Sequence, residues 1–153
     1  MTSFMHPSAI KLTSRSRGGP RRAPANKPFV RICKHNRGDY VRLFIPVAMC
    51  ESANLRHCDR LDVRILGSGD GSFVLWVERD NGSPFSIHRT DSKGGKAGSG
   101  VVRINVKSIE ETGIIGRRIV ERIAASTPSL GMACTRIIPG AIEFTCDSSA
   151  EVV

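Results

Sequence analysis

The sequence Arg-Leu-Asp-Val-Arg-Ile-Leu at residues 60–66 shows the clearest pattern in the chain. Its second, fourth and sixth residues are apolar and alternate with charged residues, which is the period of a β-strand with one buried face. The glycine-rich segment 67–71 predicts a turn. Phe-Val-Leu-Trp-Val at 73–77 predicts a returning strand. Residues 60–78 therefore predict a β-hairpin.

The preceding segment, Tyr-Val-Arg-Leu-Phe-Ile-Pro at residues 40–46, alternates in the same way and predicts a strand. Pro46 cannot donate to a sheet but suits the first turn of a helix. We therefore predict a short helix over about 47–54, which ends at Asn54. Its inner face is predicted to hold Val47, Cys50 and Leu55.

The segments after the hairpin predict a short strand and then a linker. Residues 85–87 follow Pro84 and predict an edge strand, because proline is confined to sheet edges. Residues 91–100 are mostly Gly, Ser, Lys and Ala, a composition typical of flexible linkers.

A similar order of elements restarts after the linker. Alternating apolar residues predict a strand over 102–106, and a hairpin with a Pro-Gly turn is predicted over 134–145. Between them, Ser108 and Glu111 have the spacing of a capping box, which predicts a helical turn there. A helix is predicted over 116–125. Its inward residues are predicted to be Ile119, Val120 and Ile123.

The predicted fold class is α+β, a small strand-dominated barrel of two strand–helix–hairpin units preceded by a disordered basic arm. Either unit alone is too small to bury its apolar strand face, so two units would pack about a pseudo-twofold axis. A chance likeness between two short units is the alternative. The predicted divisions are 1–29 (arm), 30–90 (first unit), 91–100 (linker), 101–146 (second unit) and 147–153 (tail).

The positive charge is concentrated at the start of the chain. The formal net charge is +9, and residues 1–42 hold ten Lys or Arg against one acidic residue, Asp39, whereas residues 43–153 hold 13 of each sign. Residues 1–29 are rich in Ser, Arg, Gly and Pro, which predicts a flexible cationic arm. Such an arm on a neutral body can hold a polyanion through its phosphates. Two alternatives are a solubilising tail and a targeting peptide.

Residues 40–78 resemble the swapped-hairpin DNA-binding module of AbrB/MazE-type transition-state regulators and antitoxins. The resemblance is carried by a strand that ends in Ile45-Pro46, a short helix that closes on Leu55, and a turn followed by Asp59-Arg60-Leu61 and a valine-rich strand. Cys58 stands where the family usually has glycine. The resemblance covers about a quarter of the chain.

The resemblance implies DNA contact through basic residues on and before the first strand. These are Arg31, Lys34, Arg37 and Arg42. The family module is normally a homodimer, so the second unit would supply the partner in cis. Other proteins with this kind of barrel bind proteins or small ligands, since a fold does not determine a function.

Signals for catalysis, metals and membranes are weak. Five cysteines at irregular spacing include no CxxC pair and, without a signal peptide, predict reduced thiols in a cytoplasmic protein. His57 and Cys58 are neighbours, which would point to opposite faces of a strand. No segment approaches the roughly 18 apolar residues of a spanning helix. We therefore predict no enzymatic activity, no metal, no cofactor and no membrane insertion.

The predicted function is that of a DNA-binding protein, a small regulator or antitoxin-like factor that grips duplex phosphates. The partner is duplex DNA, and the protein is a homodimer or a pseudo-dimer in cis. The alternative is a small inhibitory factor that docks on an acidic surface of a partner protein, since a cationic arm serves either purpose. The predicted contact residues are Arg15, Arg17, Arg21, Arg22, Arg31, Lys34, Arg37 and Arg42.

Overall fold

A computed structural model describes residues 26–91, 97–126 and 128–148. Strands dominate the described part of the chain. The strands are β1 (Phe29–Cys33), β2 (Tyr40–Ile45), β3 (Arg60–Gly67), β4 (Phe73–Arg79), β5 (Phe85–Asp91), β6 (Ala97–Asn105), β7 (Leu130–Gly131), β8 (Ala133–Ile138) and β9 (Ala141–Cys146). The helices are α1 (Val47–Ser52), α2 (Val106–Glu110) and α3 (Ile114–Ala125).

All strand pairs described are antiparallel and form one sheet in the order β7-β1-β2-β6-β5-β3-β4-β9-β8. The two ends of this order are one continuous piece of chain, because only Met132 separates β7 from β8. The backbone N–H of Met132 donates to the carbonyl of Pro28 at 3.0 Å, beside β1. The sheet thus curls into a nearly closed barrel.

The barrel core is filled by the alternate apolar residues that the strand patterns select. Leu43, Leu61, Phe73 and Phe144 are at most 2% exposed. Helix α3 adds Ile119, Val120 and Ile123 to the same core, which confirms its predicted inner face. Both predicted hairpins, β3–β4 and β8–β9, are present.

The barrel wall has a gap between β3 and β6, where the two strands are not bridged by any described strand pairing. Strand β5 pairs with β3 only through Arg60 and Leu61, and then with β6 up to Val102. Beyond this crossing, residues 62–67 and 103–105 have no described strand between them. We call this gap the β3–β6 seam.

Several local predictions are wrong. Strand β1 was not predicted, and its first residue, Phe29, belongs to the predicted arm 1–29. Strand β5 is an interior strand rather than an edge strand, because Pro84 precedes it instead of occupying it. No side-chain cap forms at Ser108, since α2 already begins at Val106 after Asn105. Val47 is 37% exposed and does not face the core.

The linker predicted over residues 91–100 extends too far toward the C-terminus, because β6 begins at Ala97. Residues 92–96 lie outside the described part of the chain, as do 1–25 of the arm and 149–153 of the tail. In the described ranges, no helix has the length and apolar character required to cross a membrane.

Candidate nucleic-acid interface

The outer face of β1, β2 and β6 carries a row of three arginines. Arg31 is directly opposite Arg42, and Arg42 is directly opposite Arg103. Alternation in β2 buries Val41, Leu43 and Ile45 and so turns Arg42 outward. Because neighbouring strands lie about 5 Å apart, the row spans about 10 Å across the sheet. We call it the arginine row.

The arginine row lacks a carboxylate partner among the residues that the structure describes. The ion pairs found among these residues join other side chains: Lys34 with Asp39, Arg64 with Asp62, and Arg79 with Asp59. The Nε of Arg31 is buried without a hydrogen-bond acceptor. The arginine row is therefore an unneutralised cationic surface. Its like charges lie opposite each other on the sheet and repel.

Aromatic rings flank the arginine row on both sides. The rings of Phe29 and Phe44 stack with centroids 4.8 Å apart. This pair lies two register positions from Arg31 and Arg42 and therefore on the same face of the sheet. On the other side, the guanidinium carbon of Arg103 lies 5.2 Å from the ring centroid of Tyr40. This cation–π contact orients Arg103 without neutralising its charge.

The opposite outer face of the barrel is built differently. There the indole of Trp76 donates to Glu143 at 2.7 Å, and the hydroxyl of Thr135 donates to the same carboxylate at 2.9 Å. These donors lower the pKa of Glu143, Thr135 most and Trp76 next. Charges of both signs are interspersed here, as in the pair Arg64–Asp62. This face therefore carries charges of both signs, in contrast to the face of the arginine row.

The structure separates the predicted contact residues into three groups. Arg31 and Arg42 lie together in the arginine row. Lys34 and Arg37 are exposed in the loop between β1 and β2, where the ammonium group of Lys34 bonds Asp39 at 2.9 Å and lowers the pKa of that carboxyl. The arm residues lie outside the described part of the chain: Arg15, Arg17, Arg21 and Arg22.

Arg103 is the member of the row that the sequence analysis missed. Its strand was predicted, and its outward direction follows from the alternation of Val102 and Ile104. The pairing of Arg103 with Arg42 could not be predicted, because β2 and β6 are distant in the sequence and their register is set only in the folded sheet.

Within residues 26–91, 97–126 and 128–148, no group of three His, Cys, Asp or Glu side chains is placed to hold a metal ion. The rings of His57 and His88 do meet, with centroids 4.9 Å apart. His57 Nδ1 accepts the backbone N–H of Arg89 at 3.0 Å, so this ring has a structural partner. The exposed thiol of Cys58 stays free.

Comparison with known proteins gives no further evidence, since no protein family, no curated protein and no solved structure matches the chain.

Proposed function

We propose that the protein binds duplex DNA by placing the arginine row against the phosphate backbone. The observation that carries the proposal is that Arg31, Arg42 and Arg103 adjoin one another on one face without any described carboxylate to neutralise them. Arginine binds phosphate through a planar fork of donors, often two at once. The row can therefore grip a strand of phosphates without reading its sequence.

The repulsion within the row supports this proposal. Two like charges directly opposite each other destabilise an antiparallel pair, and here two such pairs adjoin. A bound polyanion neutralises these charges and so removes the repulsion. The exposed loop residue Arg37 adds a further positive charge near the row, and we propose that the arginines of the predicted arm also bind phosphates.

We propose in addition that the barrel is a pseudo-dimer in cis, as in the swapped-hairpin module. The order strand, strand, helix occurs twice, as β1-β2-α1 and as β5-β6-α2, and each half ends in a hairpin, β3–β4 and β8–β9. The second half has α3 and β7 in addition. Equivalent strands pair with each other, β2 with β6 and β4 with β9, as a twofold axis requires. Cys58, which stands at the glycine position of the family, has a φ of 69° in the left-handed region that glycine favours.

A pseudo-dimer in cis predicts a monomer in solution. The two halves pair within one chain, through β2–β6 and β4–β9, so neither half needs a second chain to complete the barrel. Light scattering coupled to size-exclusion chromatography should give the mass of one 16.6 kDa chain at all protein concentrations tested. A stable dimer in the absence of DNA would contradict the pairing in cis.

The salt dependence of DNA binding tests the proposed function. If each arginine of the row neutralises one phosphate, the row alone contributes about −2.7 to the slope of log K against log salt concentration. Fluorescence anisotropy with a labelled duplex, measured across a salt series, gives this slope for the full chain. The variant R31Q/R42Q/R103Q should flatten the slope by that amount.

A second variant, R15Q/R17Q/R21Q/R22Q, measures the share of the arm in the same titration. An additional flattening is expected, since these residues add phosphate contacts of the same kind. A full-length chain that ignores duplex DNA at low salt would eliminate the proposal. In that case, one stoichiometric acidic protein recovered from nuclease-treated lysate would favour the inhibitory factor instead.

A further inference from the structure

Two adjoining cavities lie at the β3–β6 seam. The inner cavity has a volume of 310 Å³, and the outer one has a volume of 540 Å³. Phe85 and Ser108 line both of them, so the two spaces adjoin at these residues. Their sizes are within the range of small-molecule sites, about 300–1,000 Å³.

The inner cavity is lined mostly by apolar side chains. Val63 and Ile65 point toward the core by the alternation of β3, yet both are only half-buried. Ile104 and Ile109 close the cavity from β6 and α2. The inward face of β3 is therefore only partly covered by other parts of the protein. An apolar ligand could cover the remainder.

The outer cavity is polar and cationic. Arg103 and His88 line it together with Ser86, Asn105 and Ser108. None of the described residues that line either cavity is acidic. The anion-attracting groups therefore lie directly outside an apolar space.

We propose that the seam binds a small organic anion with an aliphatic body, its anionic group on Arg103 and its hydrocarbon part in the inner cavity. A nucleotide fits less well, because a base needs hydrogen-bond partners along its edges. The inner cavity offers few, and the hydroxyl of Thr112 already donates to the carbonyl of Ile109 at 2.6 Å. A medium-chain carboxylate satisfies both halves of the site. The site would operate independently of DNA binding, except that Arg103 belongs to both surfaces.

Octanoate is the probe for this site, and the full-length protein is titrated by calorimetry. Acetate carries the charge without the hydrocarbon, and octylamine carries the hydrocarbon with the opposite charge. Each buried methylene strengthens binding several-fold, so octanoate should bind about tenfold or more tightly than acetate. Octylamine should not bind. Equal affinity for octanoate and acetate, or the absence of saturable octanoate binding, would overturn the proposal.

Two variants locate the ligand. Val63→Trp should fill the inner cavity and abolish octanoate binding while DNA binding stays unchanged, because Val63 is no part of the arginine row. Arg103→Gln should weaken octanoate binding about tenfold, since it removes the counter-charge. Unchanged octanoate affinity in a folded Val63→Trp protein would contradict the site.

Methyl NMR of the wild-type protein gives a readout that needs no variant. Octanoate should shift the methyl signals of Val63, Ile65 and Ile109 more than those of other residues. Shifts that cluster elsewhere would place the ligand outside the seam and refute the proposal.

Discussion

Arg42→Glu should weaken binding of duplex DNA by about thirtyfold at low salt. Arg42 is the central member of the arginine row, with Arg31 opposite on one side and Arg103 opposite on the other. The glutamate removes one phosphate contact and repels the remaining backbone. It also forms new ion pairs with both neighbouring arginines, so the contribution of all three side chains to binding falls. Fluorescence anisotropy with a labelled duplex measures the change.

The control variant must change the net charge by the same amount as Arg42→Glu, but at a position outside the arginine row. Arg118 is exposed on α3 and does not belong to the row, so Arg118→Glu gives the same change of two charge units. We expect it to reduce the affinity only slightly, through the weak long-range field of the protein. Equal losses for the two variants would mean that net charge alone drives binding, and the arginine row would lose its role.

Arg42→Glu should also affect the stability of the fold, and this effect distinguishes a loss of DNA binding from a loss of folding. Because Arg42→Glu replaces two repulsive cross-strand pairs by attractive ones, it should leave the free energy of unfolding unchanged or raise it by a few tenths of a kcal/mol. Urea denaturation followed by circular dichroism measures this. A variant that binds DNA poorly but folds at least as well as the wild type locates the loss at the interface.

The sequence predicted the strands that have one buried face and an unambiguous alternation. Strands β2, β3, β4, β8 and β9 belong to this group. Strand β1 was missed although Val30 and Ile32 alternate around Arg31, because the strand is short and lies within a basic tract that contains Pro28. The alternation of apolar and polar residues was therefore enough to predict a strand where one face of that strand is buried and the alternation is clear.

Register could not be predicted in the same way. The arginine row depends on Arg42 facing Arg103, and this pairing is fixed by the packing of two strands about 60 residues apart. Sequence alone identified Arg31 and Arg42 as contact residues through the resemblance, but it gave no reason to add Arg103. The seam has the same origin, since it arises where β5 changes partners from β3 to β6.

Gly116→Ala should lower the free energy of unfolding by about 2 kcal/mol, although alanine is the better helix former. Gly116 is buried in the first turn of α3, where the chain passes closely over the end of α2. An added Cβ would collide with the carbonyl oxygen of Ile109 and the hydroxyl of Thr112. The carbonyl is backbone and cannot rotate away, so the two helices must separate. This cost exceeds the gain in helix propensity of about 1 kcal/mol.

A matched glycine tests whether the collision is the cause. Gly69 lies in the turn between β3 and β4, has no positive φ, and a Cβ added there would meet open space. Gly69→Ala should therefore be neutral or stabilise the fold by about 0.5 kcal/mol, because it restricts the unfolded chain. Thermal unfolding should show Gly116→Ala lower in Tm by about 5 °C and Gly69→Ala unchanged. If both variants unfold at the wild-type temperature, α2 and α3 are not packed as closely as the contact at Gly116 requires. In that case α2 lies farther from α3, and Ile109, which lines the inner cavity of the seam from α2, moves with it.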